Sequence, residues 1–475
     1  MTSCFPNNNA VKEEGVSLKT SSGEQKEKPL LWWQLSLLGV ACTIGTGFFL
    51  GSSIAISMAG PSVIFAFLLA AIGTYFVYEA LAKMTISDPQ KGSFRSYAKK
   101  AYGRWAGFST GWVYWLSELL IMGSQMTALS IFSRFWFPNI PIWIFACGYA
   151  VLGILVILTG TKGFDRIENL LAVLKVAAIV MFIILATAGI LGLLGGGTTE
   201  KVSIPATYTG LFPNGIQGLL PAFIFGFYGF AGIEIIGLLS IRLKEMKDAT
   251  KAGKVMLSLL VIIYISALTL ALLLVPWDQF STDKSPFVKA LDKYNIAFIP
   301  HVFNGVFIIA GFSTMVASLF AMIRILVSLA EDKDAPAIMS KRKNNIAWPA
   351  IGLTSMSIAI SIILSLIMPD SIYEYFTTAA GLMLLYNWFF ILGSFGRLNQ
   401  LTVLDHIKRG LGFILVLLAI IGTAFHETSR PGLYVSLLFI IIIGCITLLM
   451  KNHWKKHPDK SPPEKISSLF TKIKH

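Results

Sequence analysis

Residues 41–52 read A-C-T-I-G-T-G-F-F-L-G-S and lie within an apolar run from Leu31 to Met58. This run is long enough to cross a bilayer, which takes about 20 apolar residues. A glycine costs a helix about 1 kcal/mol relative to alanine, so Gly45 and Gly47 are unexpected at the midpoint of a spanning helix. Two interpretations are open at this point. Either the glycines let a second helix pack closely, or the helix is interrupted there.

The composition of the whole chain is that of a membrane protein. Of its 475 residues, 55% are hydrophobic and 13% are charged, whereas soluble domains carry about 25% charged residues. We therefore predict an all-α polytopic membrane protein with twelve transmembrane helices. The apolar windows lie at 32–58, 61–83, 106–133, 141–160, 167–194, 217–241, 255–276, 299–324, 348–368, 371–395, 409–425 and 432–450.

The net charge of +14 is distributed unevenly along the chain. With the N-terminus inside, almost all of the 39 Lys and Arg residues fall in inside loops and tails. The outside loops hold Arg134, Lys201, Lys284, Lys289, Lys293 and Arg430. This asymmetry follows the positive-inside rule, so it predicts a plasma-membrane protein with both termini in the cytoplasm and indicates no nucleic-acid partner.

The two ends of the chain are predicted to be cytoplasmic tails. Residues 1–30 are polar, with four Lys and four Glu, and the first apolar run is too long and too late for a cleavable signal peptide. Residues 451–475 are basic, and we expect them either to lie against anionic lipid headgroups or to form a generic tail.

A second glycine-rich stretch, F-I-F-G-F-Y-G-F-A-G-I-E, occupies residues 223–234 in the middle of the sixth span. Its glycines recur every three residues, which is also typical of a small-residue stripe for helix packing. However, the first and sixth spans run in opposite directions and occupy corresponding places in two antiparallel halves of five spans. We therefore predict breaks at 43–47 and 226–232. Glycine-interrupted segments in corresponding places predict the binding site of a secondary transporter. The free N–H groups of such a break suit a carboxylate, and its free carbonyls suit an ammonium group.

Several motifs carry a resemblance to the amino acid–polyamine–organocation superfamily of permeases, in its amino acid transporter branch. They are T-I-G-T-G-F-F-L-G-S at 43–52, A-G-P at 59–61, G-F-A-G-I-E-I-I-G at 229–237, S-P-F at 285–287 and S-L-A-E-D-K-D-A-P at 328–336. The resemblance implies a leucine-transporter-type 5+5 inverted repeat. The first repeat would cover 31–195 and the second 196–400, with two extra helices in 401–450.

Three ionisable residues, Glu118, Lys175 and Glu234, lie well inside predicted spans. Each costs about 2.5–3.5 kcal/mol at a helix centre, which makes them functional candidates. Lys175 lies nine residues from Arg166, about 13 Å along a helix. It either reaches the cytoplasmic interface or stays buried.

The resemblance adds a role for two of these residues. Asn169 and Lys175 match an N-x₅-K pattern of the family, in which the lysine takes the place of a sodium ion. This implies that Lys175 carries proton coupling. Glu234 matches the glutamate of the family's G-x-E, and we expect it either to pair with Lys175, directly or through water, or to cap an unwound segment. For Glu118 we favour a structural hydrogen-bonding role over substrate contact.

Two departures from the family pattern leave the details of coupling open. Arg242 stands where many relatives carry a glutamate, and Val316 and Ala317 replace polar residues of an S-x-x-N-S stretch. Ser313 and Thr314 keep the polar character of that stretch.

The predicted substrate site combines broken backbone with a few side chains. Its members are Thr43, Ile44, Gly45, Thr46, Gly47, Gln125, Phe225, Tyr228, Gly229, Phe230 and Ala231. Gln125 alternatively serves as interhelical glue, and Tyr228 alternatively packs in the core. An amide among aromatic rings favours a neutral amino acid over a cationic one, since a cation would require an additional carboxylate.

These observations predict a proton-coupled permease that imports a neutral α-amino acid by alternating access. The alternatives are an exchanger, a sodium-coupled carrier, a cationic amino acid permease and a permease-like nutrient sensor. An enzyme is not expected, because the six histidines lie at span ends, in loops or in the tail. We also expect no cofactor and no metal site. The predicted partners are the substrate, protons and the lipid bilayer, and the oligomeric state is left open.

Overall fold

The computed structural model describes residues 29–90, 92–194, 207–282, 284–343, 346–367 and 372–456. Residues 1–28 of the predicted N-terminal tail and 457–475 of the predicted C-terminal tail lie outside the described residues. Nearly all of the described chain is helical, which confirms the all-α prediction.

The α-helices follow one another with short connections. They are α1 (Trp32–Thr43), α2 (Thr46–Phe49), α3 (Gly51–Ala59), α4 (Val63–Ser87), α5 (Ser93–Tyr102), α6 (Arg104–Ser133), α7 (Ile142–Leu158), α8 (Gly160–Ile190), α9 (Tyr208–Leu211), α10 (Gly215–Gly229), α11 (Ile233–Leu239), α12 (Ala249–Leu274), α13 (Pro286–Asp292), α14 (Ile299–Glu331), α15 (Trp348–Ile367), α16 (Ile372–Leu398), α17 (Val403–Gly422) and α18 (Arg430–Lys456).

Every predicted span falls on one helix or on one interrupted helix. Within the described ranges, eight helical segments are long and apolar enough to cross a membrane, and α7 and part of α15 are shorter apolar helices. The chain is therefore built as a multi-pass membrane protein. The count of twelve crossings and the 5+5 repeat stay predictions.

The core is formed by α6, which packs against α14 and α16, and by α10, which packs against α3 and α4. Close approach between helices depends on glycine at several places. A Cβ added at Gly253 of α12 would lie 1.7 Å from the ring of Tyr78 on α4. Likewise, a Cβ at Gly226 of α10 would lie 3.0 Å from the Cβ of Ala70 on α4.

Gly226 corrects one detail of the prediction. The second break was expected over 226–232, but α10 stays helical through Gly229 and the interruption covers only 230–232. The reason is that Gly226 serves helix packing, which was the alternative considered for the glycine stripe.

Charged side chains attach α17 to the core at one end of the bundle. Lys83 Nζ donates to Asp405 Oδ1 at 2.5 Å, and Lys408 Nζ donates to Glu79 Oε2 at 2.8 Å. By contrast, α18 exposes a row of large apolar side chains, including Ile441 and Leu449. In a membrane such a face meets lipid chains.

Candidate substrate site at two helix breaks

The first break separates α1 from α2. Ile44 adopts φ −70° and ψ 112°, and Gly45 is fully extended with φ −150° and ψ −165°. A new helix starts at Thr46, so the N–H groups of Thr46 and Gly47 have no acceptor within the helix, whereas those of Phe48 and Phe49 donate to the Gly45 carbonyl. The glycines of the opening motif therefore mark an interruption and not only a packing contact.

Both glycines of this break are also tightly surrounded. A Cβ at Gly45 would lie 2.6 Å from the hydroxyl of Thr314 on α14. One at Gly47 would lie 2.7 Å from the ring of Tyr228 on α10. Any larger residue at either position would push on a neighbouring span.

The second break separates α10 from α11. Phe230 and Ala231 leave the helix, and Gly232 takes the left-handed conformation with φ +110°, which favours glycine. The carbonyl of Gly229, in the last turn of α10, accepts a hydrogen bond from Tyr264 Oη at 3.0 Å. The carbonyls of Phe227 and Tyr228 accept from the N–H groups of Phe230 and Ala231. Each carbonyl at this helix end therefore carries one hydrogen bond and keeps a second lone pair.

The two breaks lie against each other. A Cβ placed on Gly232 would come within 3.5 Å of Thr43 Oγ1, and Tyr228 contacts Gly47. The amino end of α2 and the carboxyl end of α10 therefore face a shared region with opposite partial charges. Such a region suits a zwitterion.

Side chains of two other helices hold the first break. Gln125 of α6 is 2% exposed, and its Oε1 accepts from Thr46 Oγ1 at 2.6 Å and from the Thr46 N–H at 3.4 Å. Tyr373 Oη of α16 donates to the Thr46 carbonyl at 3.0 Å. In this structure Gln125 forms the interhelical bond that was its alternative interpretation.

The aromatic members of the site also have defined partners. Tyr228 Oη lies 2.5 Å from Ser124 Oγ, so this tyrosine does more than fill the core. Phe225 and Tyr373 both approach Gly51, at 3.6 Å and 3.7 Å from a Cβ placed there. Phe230 lies farther along, with its ring 5.2 Å from that of Tyr264.

Lys175 lies beside the first break. Its side chain is 0% exposed, so it does not reach the interface, and Nζ donates to the carbonyl of Ala41 at 2.8 Å. Ala41 belongs to the last turn of α1. The carbonyls of this turn have no N–H donor within the helix, because the chain leaves the helical conformation at Ile44. A cation at the carboxyl end of a helix is stabilised by the helix dipole. The side chain of Asn169, the other residue of the N-x₅-K pattern, is not among the side chains that the structure describes.

Glu234 contacts the second break. Its Oε2 accepts from the N–H of Gly232 at 3.2 Å, and its Oε1 accepts from the indole N–H of Trp388 on α16. The described contacts of Glu234 include no direct ion pair with Lys175, and a pairing through water stays a prediction. Glu234 caps the turn, which was the other expectation.

Glu118 is buried, with 3% of its surface exposed. Its structural role stays a prediction. Val316 and Ala317 are buried in the core. At these two positions of α14, apolar side chains that pack in the core therefore stand in place of the family's polar residues.

The other departure lies where the chain enters the first span. The carbonyl of Arg242 accepts from the N–H of Leu30 at 2.8 Å, and the N–H of Lys244 donates to the carbonyl of Leu30 at 2.8 Å. These two bonds join the start of α1 to the segment after α11.

Within the residues that the structure describes, no cluster of His, Cys, Asp and Glu could hold a metal ion.

Sequence reasoning missed Ser124, Tyr373 and Trp388. Ser124 precedes Gln125 and could have been found from that position, whereas Tyr373 and Trp388 stand in no motif of the chain. Their roles arise from the packing of α16 against the broken helices.

Comparison with known proteins identifies the family. The model of the amino acid permease family matches residues 34–460. The chain is 51% identical to the uncharacterized transporter YcgH of Bacillus subtilis (strain 168), over 93% of this chain and 99% of that protein. It is 31% identical to the uncharacterized amino acid permease YtnA of the same organism, over 76% of this chain and 78% of that protein. It is 28% identical to the aromatic amino acid transport protein AroP of Escherichia coli (strain K12), over 89% of this chain and 95% of that protein. The chain belongs to the amino acid permease family, and the predicted superfamily is confirmed.

Proposed function

We propose that this amino acid permease imports a neutral α-amino acid across the plasma membrane by proton-coupled alternating access. The observation that carries the proposal is the contact between the two helix breaks. Helix-start amides at Gly45, Thr46 and Gly47 would bind the substrate carboxylate, and the carbonyls that end α10 would bind its ammonium group.

The side-chain part of the site supports a neutral and, more narrowly, an aromatic substrate. Phe225, Tyr228 and Tyr373 surround the breaks, and Gln125 offers an uncharged amide. Aromatic rings pack favourably against one another with centroids about 4.5–7 Å apart. The similarity to a protein named for aromatic amino acid transport points in the same direction.

Tyr373 and Gln125 both engage Thr46, so substrate entry requires at least one of these bonds to adjust. An incoming carboxylate would take the Thr46 N–H, to which Gln125 is bound at 3.4 Å, beyond the usual hydrogen-bond length. Because this bond is long, the Thr46 N–H can exchange Gln125 for the substrate carboxylate more easily than the other bound groups of the site can change partner. The Gln125 amide would then turn toward the substrate side chain.

For coupling, we propose that Lys175 is the proton carrier. In its charged form the ammonium holds α8 against the carboxyl end of α1 through Ala41. Loss of the proton removes the charge that the helix end attracts, so the contact weakens and α1 is released to change its tilt. Glu234, which joins the second break to α16, is the next candidate for the proton.

The proposal is tested in proteoliposomes with an imposed pH gradient and no sodium. We expect accumulation of labelled phenylalanine that collapses with a protonophore and is competed by tyrosine and tryptophan but not by arginine or lysine. Accumulation of a cationic substrate would support the cationic alternative. Flux that requires an internal amino acid would indicate an exchanger, and lack of any flux in folded protein would indicate a sensor.

A further inference from the structure

A cavity of about 520 Å³ lies away from the substrate site, between α6, α18 and the segment 333–336 that follows α14. Its apolar walls are formed by Phe108, Trp112 and Trp115 on α6 and by Ile442, Ile446 and Met450 on α18. We infer that this cavity binds one anionic phospholipid, with an acyl chain between α6 and α18 and the phosphate at the basic rim.

The walls determine which part of the lipid enters. Ile442 and Ile446 are 43% and 44% exposed, and Ile441 and Leu449 on the same helix are exposed further. Because α18 is apolar and long enough to span a membrane, these side chains face hydrocarbon. An acyl chain is the apolar ligand available at that depth, and the volume of the cavity lies within the range of ligand pockets, about 300–1,000 Å³.

The rim determines which headgroup is favoured. Lys333 lines the cavity and is exposed, and Lys451 follows Met450 on α18 and is exposed as well. Asp334 is the one carboxylate among the described residues that line the cavity. It is already paired, since its oxygens accept from Arg104 Nε at 2.9 Å and from Arg95 at 3.2 Å. The rim is therefore positive, as in basic pockets between transmembrane helices that bind anionic lipid headgroups.

The cavity is built by a fixed framework. Trp112 Nε1 donates to the carbonyl of Asp334 at 3.2 Å, and the Arg104 guanidinium lies 5.1 Å from the ring centroid of Trp454. These contacts join α6, the segment after α14 and the end of α18. A bound lipid would fill the remaining gap between α18 and the rest of the bundle.

The test is native mass spectrometry of the full chain, purified with 1-palmitoyl-2-oleoyl phosphatidylglycerol or with the corresponding phosphatidylcholine. We expect one retained phosphatidylglycerol and much weaker retention of phosphatidylcholine. Ile446→Trp should remove the bound lipid, because the partly exposed side chain points its extra volume into the cavity. The matched control is Leu449→Trp on the same helix, which does not line the cavity and should retain the lipid.

A second pair of substitutions tests the rim without touching the walls. Lys333→Gln and Lys451→Gln should each lower phosphatidylglycerol affinity about fivefold, since each basic residue near an anionic headgroup is worth about 1 kcal/mol, and should leave phosphatidylcholine retention unchanged. Equal lipid retention by Ile446→Trp and Leu449→Trp overturns the proposal. So does equal binding of the two lipids to the unaltered chain, or a lipid-free dimer that covers α18.

Discussion

The two helix breaks are held in different ways. The first break is held from outside: Gln125 of α6 and Tyr373 of α16 bind Thr46, and Lys175 of α8 binds the end of α1. The second break is held largely from within, because Gly232 makes the turn and Glu234 caps it. Trp388 of α16 and Tyr264 of α12 are its added partners.

This difference indicates which break is suited to movement. A segment whose polar backbone groups are bound by three other helices can be released by a change in any one of them. A turn set by its own left-handed glycine keeps its shape as its neighbours shift. We therefore expect substitutions at the first break to change transport, and substitutions at the second to change stability.

The largest effect is expected from Gly45→Leu, which should abolish uptake. The first added carbon would already lie 2.6 Å from Thr314, so the side chain must displace α14 or fill the space between the breaks. Uptake is measured with surface expression determined in parallel. Gly444→Leu on α18, where a Cβ meets nothing within 4 Å, is the control and should transport normally. Normal uptake by Gly45→Leu would remove this break from the substrate site.

Next in size is the effect of Lys175→Ala, which should abolish accumulation against a gradient while leaving exchange. The protonated amine holds Ala41, and without it α1 is no longer linked to the proton. For the unaltered chain, uptake should rise as the outside pH falls, because protonation on the outside drives the cycle inward. The measurement is concentrative uptake in proteoliposomes with a pH gradient and no sodium.

Glu234→Gln separates the two candidate proton carriers. A glutamine oxygen still accepts from Trp388, so the cap is partly kept while the titratable group is lost. If Lys175→Ala still concentrates substrate and Glu234→Gln does not, then Glu234 is the coupling group and the lysine is structural.

A smaller effect, on stability, is expected from Gly232→Ala. A Cβ at this position would have room, because its nearest neighbour, Thr43 Oγ1, lies at 3.5 Å. The loss of stability therefore comes from the backbone conformation, with φ +110°. A non-glycine residue in such a conformation costs about 1–3 kcal/mol. The midpoint of thermal unfolding in detergent should fall relative to Gly410→Ala, which has open space on α17 and no positive φ. An unchanged midpoint would mean that the turn tolerates other conformations.

Sequence reasoning reached the fold class because bilayer thickness sets the length of every apolar run. It located both breaks because glycine is unfavourable in a helix unless a special conformation or a close contact requires it. It placed the start of the second break too early, because Gly226 is required for close packing against α4. The local sequence does not specify that neighbour. The partners of Glu234 and Thr46 were missed for the same reason. Trp388 and Tyr373 reach these residues only after α16 has packed.

The smallest effect is expected from Gln125→Glu, which changes charge at the first break and leaves its geometry in place. A glutamate oxygen accepts from the Thr46 hydroxyl as the amide oxygen does at 2.6 Å. The new negative charge would weaken binding of the substrate carboxylate and favour a cationic side chain. Because charged hydrogen bonds contribute about 1.5–3 kcal/mol at most and the two effects oppose each other, we expect only a several-fold shift toward arginine and lysine. The measurement is competition of labelled phenylalanine uptake by both amino acid classes, with Gln125→Leu as the variant that loses the bond to Thr46. If Gln125→Glu keeps the original substrate profile and Gln125→Leu still transports, then Gln125 only joins two helices, and selectivity resides in the aromatic residues around it.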